Sequence, residues 1–310
     1  MNIIFMGTPD FAVPSLKILL DNGYNVNCVI TQPDRPKGRG YKLTMPPVKE
    51  IAIKYGIEVL QPERIRNNEQ LQHSIEQIMP DVIVVVAYGK ILPSSVLNVP
   101  QYGCINVHAS LLPKYRGAAP IQWAIINGEK TTGITTMFMD KGMDTGDMIL
   151  KAETEIDDNE TAGSLHDRLS IIGAEMLLKT VKMLQNGVVP REPQNHHIAT
   201  NAPMINKNVC KIDWSDSAVR IKNIIRGLNP VPGAYTFFWG KRIRIWSAEC
   251  IGIHSFGPGI IQEIGKNDMV IGTGDGCIRI NDIHPESNKI MSISEYVRGH
   301  NVNIGMKFGI

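Results

Sequence analysis

Along the first two-thirds of the chain, short β-branched runs alternate with stretches whose apolar residues recur at helical spacing. Ile3–Met6 is a short apolar run, and in Phe11–Leu20 the residues Phe11, Leu16, Leu19 and Leu20 fall on one helical face. Val26–Thr31 predicts a second strand, and Val48–Tyr55 a short helix presenting Val48, Ile51, Ala52 and Tyr55. Residues Asp81–Ala87 form a nearly continuous apolar run, the pattern of a central strand covered on both faces. Cys104–Val107 and Thr135–Met139 are further strands. Ala162–Gln185 is a long amphipathic helix that stops at Asn186-Gly187, a favourable C-cap pair. Alternation of this kind predicts an α/β fold built on a doubly wound parallel sheet.

After Gly187 the pattern stops. Val188–Asn208 has no periodicity and reads as a linker. Beyond it a helix over Ser217–Arg226 precedes short strands at Tyr235–Trp239, Arg242–Ala248, Gly259–Ile264, Met269–Gly272 and Cys277–Ile283, with turn signals between them. The expected organisation is a domain over 1–187, a linker over 188–208, and a smaller β-barrel over 209–310 of the oligonucleotide-binding type.

Composition adds less. A chain of 310 residues suits two ordinary domains. No apolar run reaches the ~18 residues of a membrane span, and Met1–Gly7 lacks the basic flank of a secretory signal. Five scattered cysteines with no CxxC spacing argue against a disulfide framework or a zinc cluster, which points to the cytoplasm. The net charge of +2 is uneven: from Asn206 onward there are 13 Lys and Arg against 9 Asp and Glu. A basic C-terminal third is consistent with a polyanionic partner.

Three segments are candidates for chemistry. Asn106-Val-His108-Ala-Ser110-Leu-Leu-Pro113-Lys-Tyr-Arg116-Gly117 begins at the carboxyl end of a strand, where open α/β sheets bind ligands. Period-2 alternation places Asn106 and His108 on the same side. Met139–Asp147 holds two glycines and three carboxylates in a tight loop after another strand. A histidine near a carboxylate exchanges protons near neutral pH, and an asparagine amide donates to a developing oxyanion. The third segment, Gly7-Thr-Pro9-Asp-Phe11, sits at the first strand–helix turn. Pro9 and Ala12 stand where a dinucleotide fingerprint needs glycine, which excludes an NAD-dependent reductase. Taken singly, each of these residues has an ordinary structural explanation.

Taken in order, the segments GTPDF (7–11), TQPDRPKGRG (31–40), VVVAYGKILP (84–93), GCINVHASLLPKYRGAAPIQWAI (103–125) and MDKGMDTGDM (139–148) resemble one family, the methionyl-tRNA formyltransferases. The resemblance continues into KIDWS (211–215) and NPVPGAY (229–235). It implies a Rossmann-like formyltransferase domain followed by a tRNA-binding barrel. The family takes a formyl group from 10-formyltetrahydrofolate, a co-substrate, and gives it to initiator methionyl-tRNA without a metal. It further implies that Asn106, His108 and Asp144 match the catalytic trio, and that Ser110, Leu111, Leu112 and Pro113 match the folate-binding stretch. Ile91 and Leu92, with the backbone around Asp140–Asp144, match the pterin pocket.

The segment Gln32–Lys42 carries Arg35, Lys37, Arg39 and Lys42 among glycines and prolines. It lies where the family has an insertion that enters the acceptor-stem end, and Arg39 matches that insertion's key arginine. In the second domain Lys207, Lys211 and Arg242, with Arg220, Lys222, Arg226, Lys241 and Arg244, are candidates for a surface that tracks a phosphate backbone. Sugar-nucleotide formyltransferases and formyltetrahydrofolate hydrolases share the chemistry, but the basic insertion GRGYKLTMPPVK is not expected of them. An intact trio argues against a catalytically silent RNA-binding module.

Overall fold

The computed structural model describes residues 1–37 and 42–309. These form two compact units: Met1–Pro120, Thr132–Thr154 and His166–Pro203 make the first, and Ile121–Thr131, Glu155–Leu165 and Met204–Ile310 the second.

The first unit is built on β1 (Asn2–Gly7), β2 (Asn25–Ile30), β5 (Glu58–Leu60), β6 (Val82–Val86), β7 (Cys104–His108), β8 (Thr131–Phe138) and β9 (Met148–Glu155), in the order β5-β2-β1-β6-β7-β8-β9. A separate antiparallel ribbon pairs β3 (Arg35–Lys37) with β4 (Lys42–Thr44). The pairs from β5 to β7 are parallel, as the alternation predicts. β8 departs from that expectation and runs antiparallel to β7, with Asn106 opposite Met137 and His108 opposite Thr135.

Helices α1 (Val13–Asp21), α2 (Pro47–Lys54), α3 (Glu69–Ile78), α4 (Ser94–Leu97), α5 (Pro120–Ile126) and α6 (Ala162–Gln185) follow the strands. All five β6 side chains are buried, as are Ile3, Ile4, Phe5 and Met6 of β1. Each such burial contributes roughly 1.5–3 kcal/mol, which makes the centre of the sheet its most stable part. The elements β5, α3 and β9 have no counterpart in the sequence reading. Helix α3 is set by the Asn68 side chain, which accepts from the Leu71 amide at 3.0 Å, and by the burial of Leu71 and Ile75.

The second unit begins with α7 (Lys207–Cys210) and α8 (Ala218–Gly227), the latter capped by Ser217. Its antiparallel strands are β10 (Tyr235–Phe238), β11 (Lys241–Ile245), β12 (Ala248–Ile251), β13 (Ile261–Ile264), β14 (Met269–Gly272), β15 (Cys277–Ile280), β16 (Asp282–Pro285) and β17 (Met291–Ser292). They form two four-stranded sheets, β10-β11-β16-β17 and β12-β15-β14-β13, and α9 (Ile293–Gly299) follows. Two runs expected as single strands are broken. Arg242–Ala248 splits at Trp246-Ser247, and Cys277–Ile283 splits at Asn281. At each break the chain passes from one sheet to the other, and the breaks adjoin: the Trp246 amide donates to the Asp282 carbonyl at 2.9 Å. Strict alternation of burial lapses at each break: Trp246, Ser247 and Ala248 are all half-buried, and two half-buried residues, Asn281 and Asp282, separate Ile280 from Ile283. The core of this unit gathers Ile221, Ile225, Phe238, Ile243, Ile278, Ile283 and Phe308.

Candidate active site

Asn106 and His108 project from β7 toward the loop between β8 and β9. Asn106 Nδ2 donates to Asp144 Oδ1 at 3.3 Å, and His108 Nδ1 lies 3.7 Å from Asp144 Oδ2. The Gly117 amide donates to that same Oδ2 at 2.8 Å. His108 is buried, and its Nε2 lies 2.9 Å from the Tyr115 carbonyl oxygen. A carbonyl only accepts, so Nε2 bears the hydrogen, and Nδ1 faces Asp144. Asn106 has a second amide hydrogen free of this arrangement. Strand spacing sets Asn106 and His108 on one side of β7, and the loop between β8 and β9 brings Asp144 to both.

The loop that presents Asp144 is under close constraint. Asp144 itself has φ +54°, a left-handed conformation that costs about 1–2 kcal/mol for a residue with a side chain. Asp140 Oδ1 accepts from the Gly142 amide at 3.0 Å and from Thr145 Oγ1 at 2.6 Å, which folds the loop's first half. At Gly146 a Cβ would stand 2.0 Å from the Phe138 carbonyl oxygen, so the two strands approach here as only glycine permits.

Gln194 closes the site from behind. It is 6% exposed, and its Nε2 donates to the carbonyls of Asp144 and Gly146, both at 2.8 Å. Its Oε1 accepts from Arg116 Nε at 3.0 Å and Nη2 at 2.6 Å. The surrounding backbone is paired in register: Arg116 N donates to Thr200 O, Ala202 N to Arg116 O, and Ala119 N to Ala202 O. The Tyr115 amide donates to Thr200 Oγ1 at 2.9 Å. Residues 191–202, inside the stretch expected as a linker, therefore pack onto the loop after β7. Sequence reasoning missed Gln194 and Thr200 because neither stands in a periodic element or beside a chemical motif. Arg116 and Gly117 did lie within the motif, without an assigned role.

Of the residues expected to meet folate, Ser110, Leu112, Pro113 and Leu92 are buried. Ser110 Oγ donates to the Lys114 carbonyl at 2.6 Å, its own carbonyl accepts from Thr135 Oγ1 at 2.7 Å, and Leu112 packs with Met137 and Met148. They shape the loop from inside. Ile91 and Asp140 are exposed and Leu111 half-buried. A cavity of about 510 Å³ lies beside the Asp140 loop, lined by Ser94, Leu97, Phe138, Met139, Asp140 and Arg191 among others. Arg191 covers the Phe138 ring with its guanidinium carbon 3.8 Å from the centroid.

Among the expected cations, Arg39 lies outside the described residues, as do the side chains of Lys37 and Lys42; Arg35 is exposed. In the second unit Lys207 and Lys211 are exposed, and Arg242 lies over Tyr235 at 4.5 Å. Arg226 is not on that surface. It is 8% exposed, and its guanidinium donates to Asn223 Oδ1 and to the carbonyls of Asp157 and Glu160. It falls on the buried face of α8, where burial lowers its pKa and the nearby acidic residues Asp158, Glu160 and Asp157 oppose that shift.

The mostly parallel sheet followed by an antiparallel β domain is the fold of the formyl transferases. The formyl transferase family model matches residues 1–181, and that of the formyl transferase C-terminal domain matches residues 204–301. The chain is 52% identical to the methionyl-tRNA formyltransferase of Acetivibrio thermocellus over all of both chains. It is 53% identical to that of Caldanaerobacter subterraneus subsp. tengcongensis, over 98% of this chain and 99% of the relative. This chain belongs to the methionyl-tRNA formyltransferase family. Solved structures share the fold at lower identity. An N-formyltransferase from Helicobacter canadensis, in complex with folinic acid and dTDP-3-aminofucose, matches with TM-score 0.68 at 21% identity, over 91% of this chain and 99% of its own. HypX from Aquifex aeolicus, in complex with tetrahydrofolic acid, matches with TM-score 0.65 at 17% identity, over 96% of this chain and 47% of its own.

Proposed function

We propose that this chain transfers the formyl group of 10-formyltetrahydrofolate to the α-amine of methionyl-initiator-tRNA, with Asn106, His108 and Asp144 as its catalytic residues. The observation that carries the reading is the convergence of these three side chains at the end of β7, in a chain of this family. The amine lone pair attacks the formyl carbon, and the carbonyl oxygen takes the negative charge. The free amide hydrogen of Asn106 donates to that oxygen. The charge then returns to form the new amide as the bond to the folate nitrogen breaks. One amine proton leaves and one proton reaches the folate nitrogen, so the reaction is balanced without another reactant. His108 Nδ1 and Asp144 hold the proton between these events.

The cavity beside Asp140 has the volume and mixed lining that a fused heteroaromatic ring requires. Ile91, Leu92 and the Ser110–Pro113 loop complete the folate side. Residues 1–187 act as the catalytic domain, 188–208 lead from it to the second domain while 191–202 pack on its loop after β7, and 209–310, with Lys207 just before them, bind tRNA through Lys207, Lys211 and Arg242. The basic segment with Arg35, Lys37, Arg39 and Lys42 meets the acceptor end. Formyl transfer should be measured to charged initiator tRNA, to amino-sugar nucleotides and to water. Transfer to charged tRNA should dominate; preferential use of a sugar nucleotide or of water would refute this function.

A further inference from the structure

A second cavity, of about 730 Å³, opens in the first unit at the carboxyl ends of β1, β2 and β6. Thr8 and Pro9 follow β1 there, Gln32–Arg35 follow β2, and Ala87–Lys90 follow β6. From β1 the sheet order runs through β2 to β5 on one side and through β6 to β7 on the other. The cavity therefore lies at the switch point of the sheet, where open α/β folds bind ligands.

Its lining joins two kinds of surface. Pro9, Pro33, Met45, Pro46 and Pro47 give an apolar wall, while Arg35 and Lys90 bring two cations to the same space. Lys90 is fixed: its Nζ donates to the carbonyls of Pro62 at 3.1 Å and Glu63 at 2.6 Å, which leaves one of its three hydrogens. Burial, and then the charge of Arg35, lower the Lys90 pKa, while the Glu63 carboxylate opposes them. Arg35 has no ion-pair partner among the described residues. Two cations held toward one cavity repel until an anion joins them. Glu50, the one carboxylate in the lining among the described residues, can accept from hydroxyl or amine groups of the same ligand.

Distance selects the ligand. β6 is the neighbour of β7 and β1 lies one strand further, so at ~4.8 Å per strand the cavity begins roughly 5–10 Å from Asn106. In an aminoacyl ester of a 3′-terminal nucleotide, about eight bonds separate the 5′-phosphorus from the reacting amine, roughly 8–10 Å. Resting on the transfer to charged tRNA proposed above, we infer that this cavity seats the terminal nucleotide of the acceptor, with Lys90 and Arg35 on its 5′-phosphate.

The probes are two non-hydrolysable analogues, 3′-methionylamido-3′-deoxyadenosine with and without a 5′-phosphate, each competing with charged tRNA. For the wild-type enzyme the phosphate should tighten inhibition by about 10-fold or more, as a charged hydrogen bond does. Lys90→Gln should remove most of that advantage and leave the phosphate-free analogue binding as before. Lys90→Arg should keep the advantage. Salt dependence of tRNA use should fall by about one unit of slope in Lys90→Gln. Equal weakening of both analogues, or no effect on either, would overturn the phosphate site while leaving transfer to tRNA intact. A wild-type enzyme inert toward charged tRNA would overturn the proposed function itself, and with it this inference.

Discussion

Replacing Gln194 by Glu tests whether the catalytic loop is held by donation from behind. The change conserves volume and keeps an acceptor for Arg116, whose guanidinium keeps the new carboxylate ionised. It replaces the amide donor by an oxygen facing the carbonyls of Asp144 and Gly146, each 2.8 Å from the present nitrogen. Each buried carbonyl that loses its donor costs about 1–3 kcal/mol, and repulsion from the new charge adds to this. The stronger pair with Arg116 offsets part of the loss. Asp144 needs such support, because its left-handed backbone at φ +54° is itself unfavourable by about 1–2 kcal/mol. With the donor gone, the loop relaxes and the Asp144 carboxylate leaves its place beside His108. A displacement of about 1 Å at a reacting group costs on the order of 10²-fold in rate. Steady-state kinetics should therefore show kcat reduced about 10²-fold in Gln194→Glu, with folate affinity nearly unchanged in a binding titration. In an Asp144→Ala background the same substitution should cost little more, since the group it positions is gone. Wild-type kcat, or effects that simply multiply in the double variant, would refute the reasoning.

Asn106→Ala should lower kcat by about 10²–10³-fold with little change in folate affinity, as the loss of an oxyanion donor does; a change confined to KM would make Asn106 a binding residue. His108→Ala and Asp144→Ala should each be severe, and the double variant little worse than either, because the two hold one proton between them; multiplicative losses would separate their roles. Gly146→Ala should lower both the melting temperature and kcat, because its Cβ would meet the Phe138 carbonyl at 2.0 Å and that carbonyl belongs to β8. A variant that melts and turns over like the wild type would show that the loop accommodates the methyl group.

The sequence by itself determined the elements whose burial pattern is local. The apolar run at Val82–Val86 could only be a covered strand, and the long helix closes at Gln185, before the glycine that ends its periodicity. The spacing of Asn106 and His108 placed both on one side of a strand, and the order of motifs pointed to the family. Tertiary structure alone decided the rest, for identifiable reasons. The direction of β8 depends on which neighbour it pairs with, and the same alternation of side chains serves parallel and antiparallel partners. The breaks at Trp246-Ser247 and Asn281 are set by two sheets meeting: the alternation lapses at each, but which sheet the next strand joins depends on partners distant in sequence. Arg226 appeared to be one more cation of a basic helix until the carbonyls of Asp157 and Glu160, far away in sequence, supplied its partners. Gln194 is the clearest case. Its four hydrogen bonds reach back 50 residues to Asp144, 48 to Gly146 and 78 to Arg116. A polar side chain in an aperiodic stretch carries no local sign of such partners, because they become its neighbours only when the chain has folded.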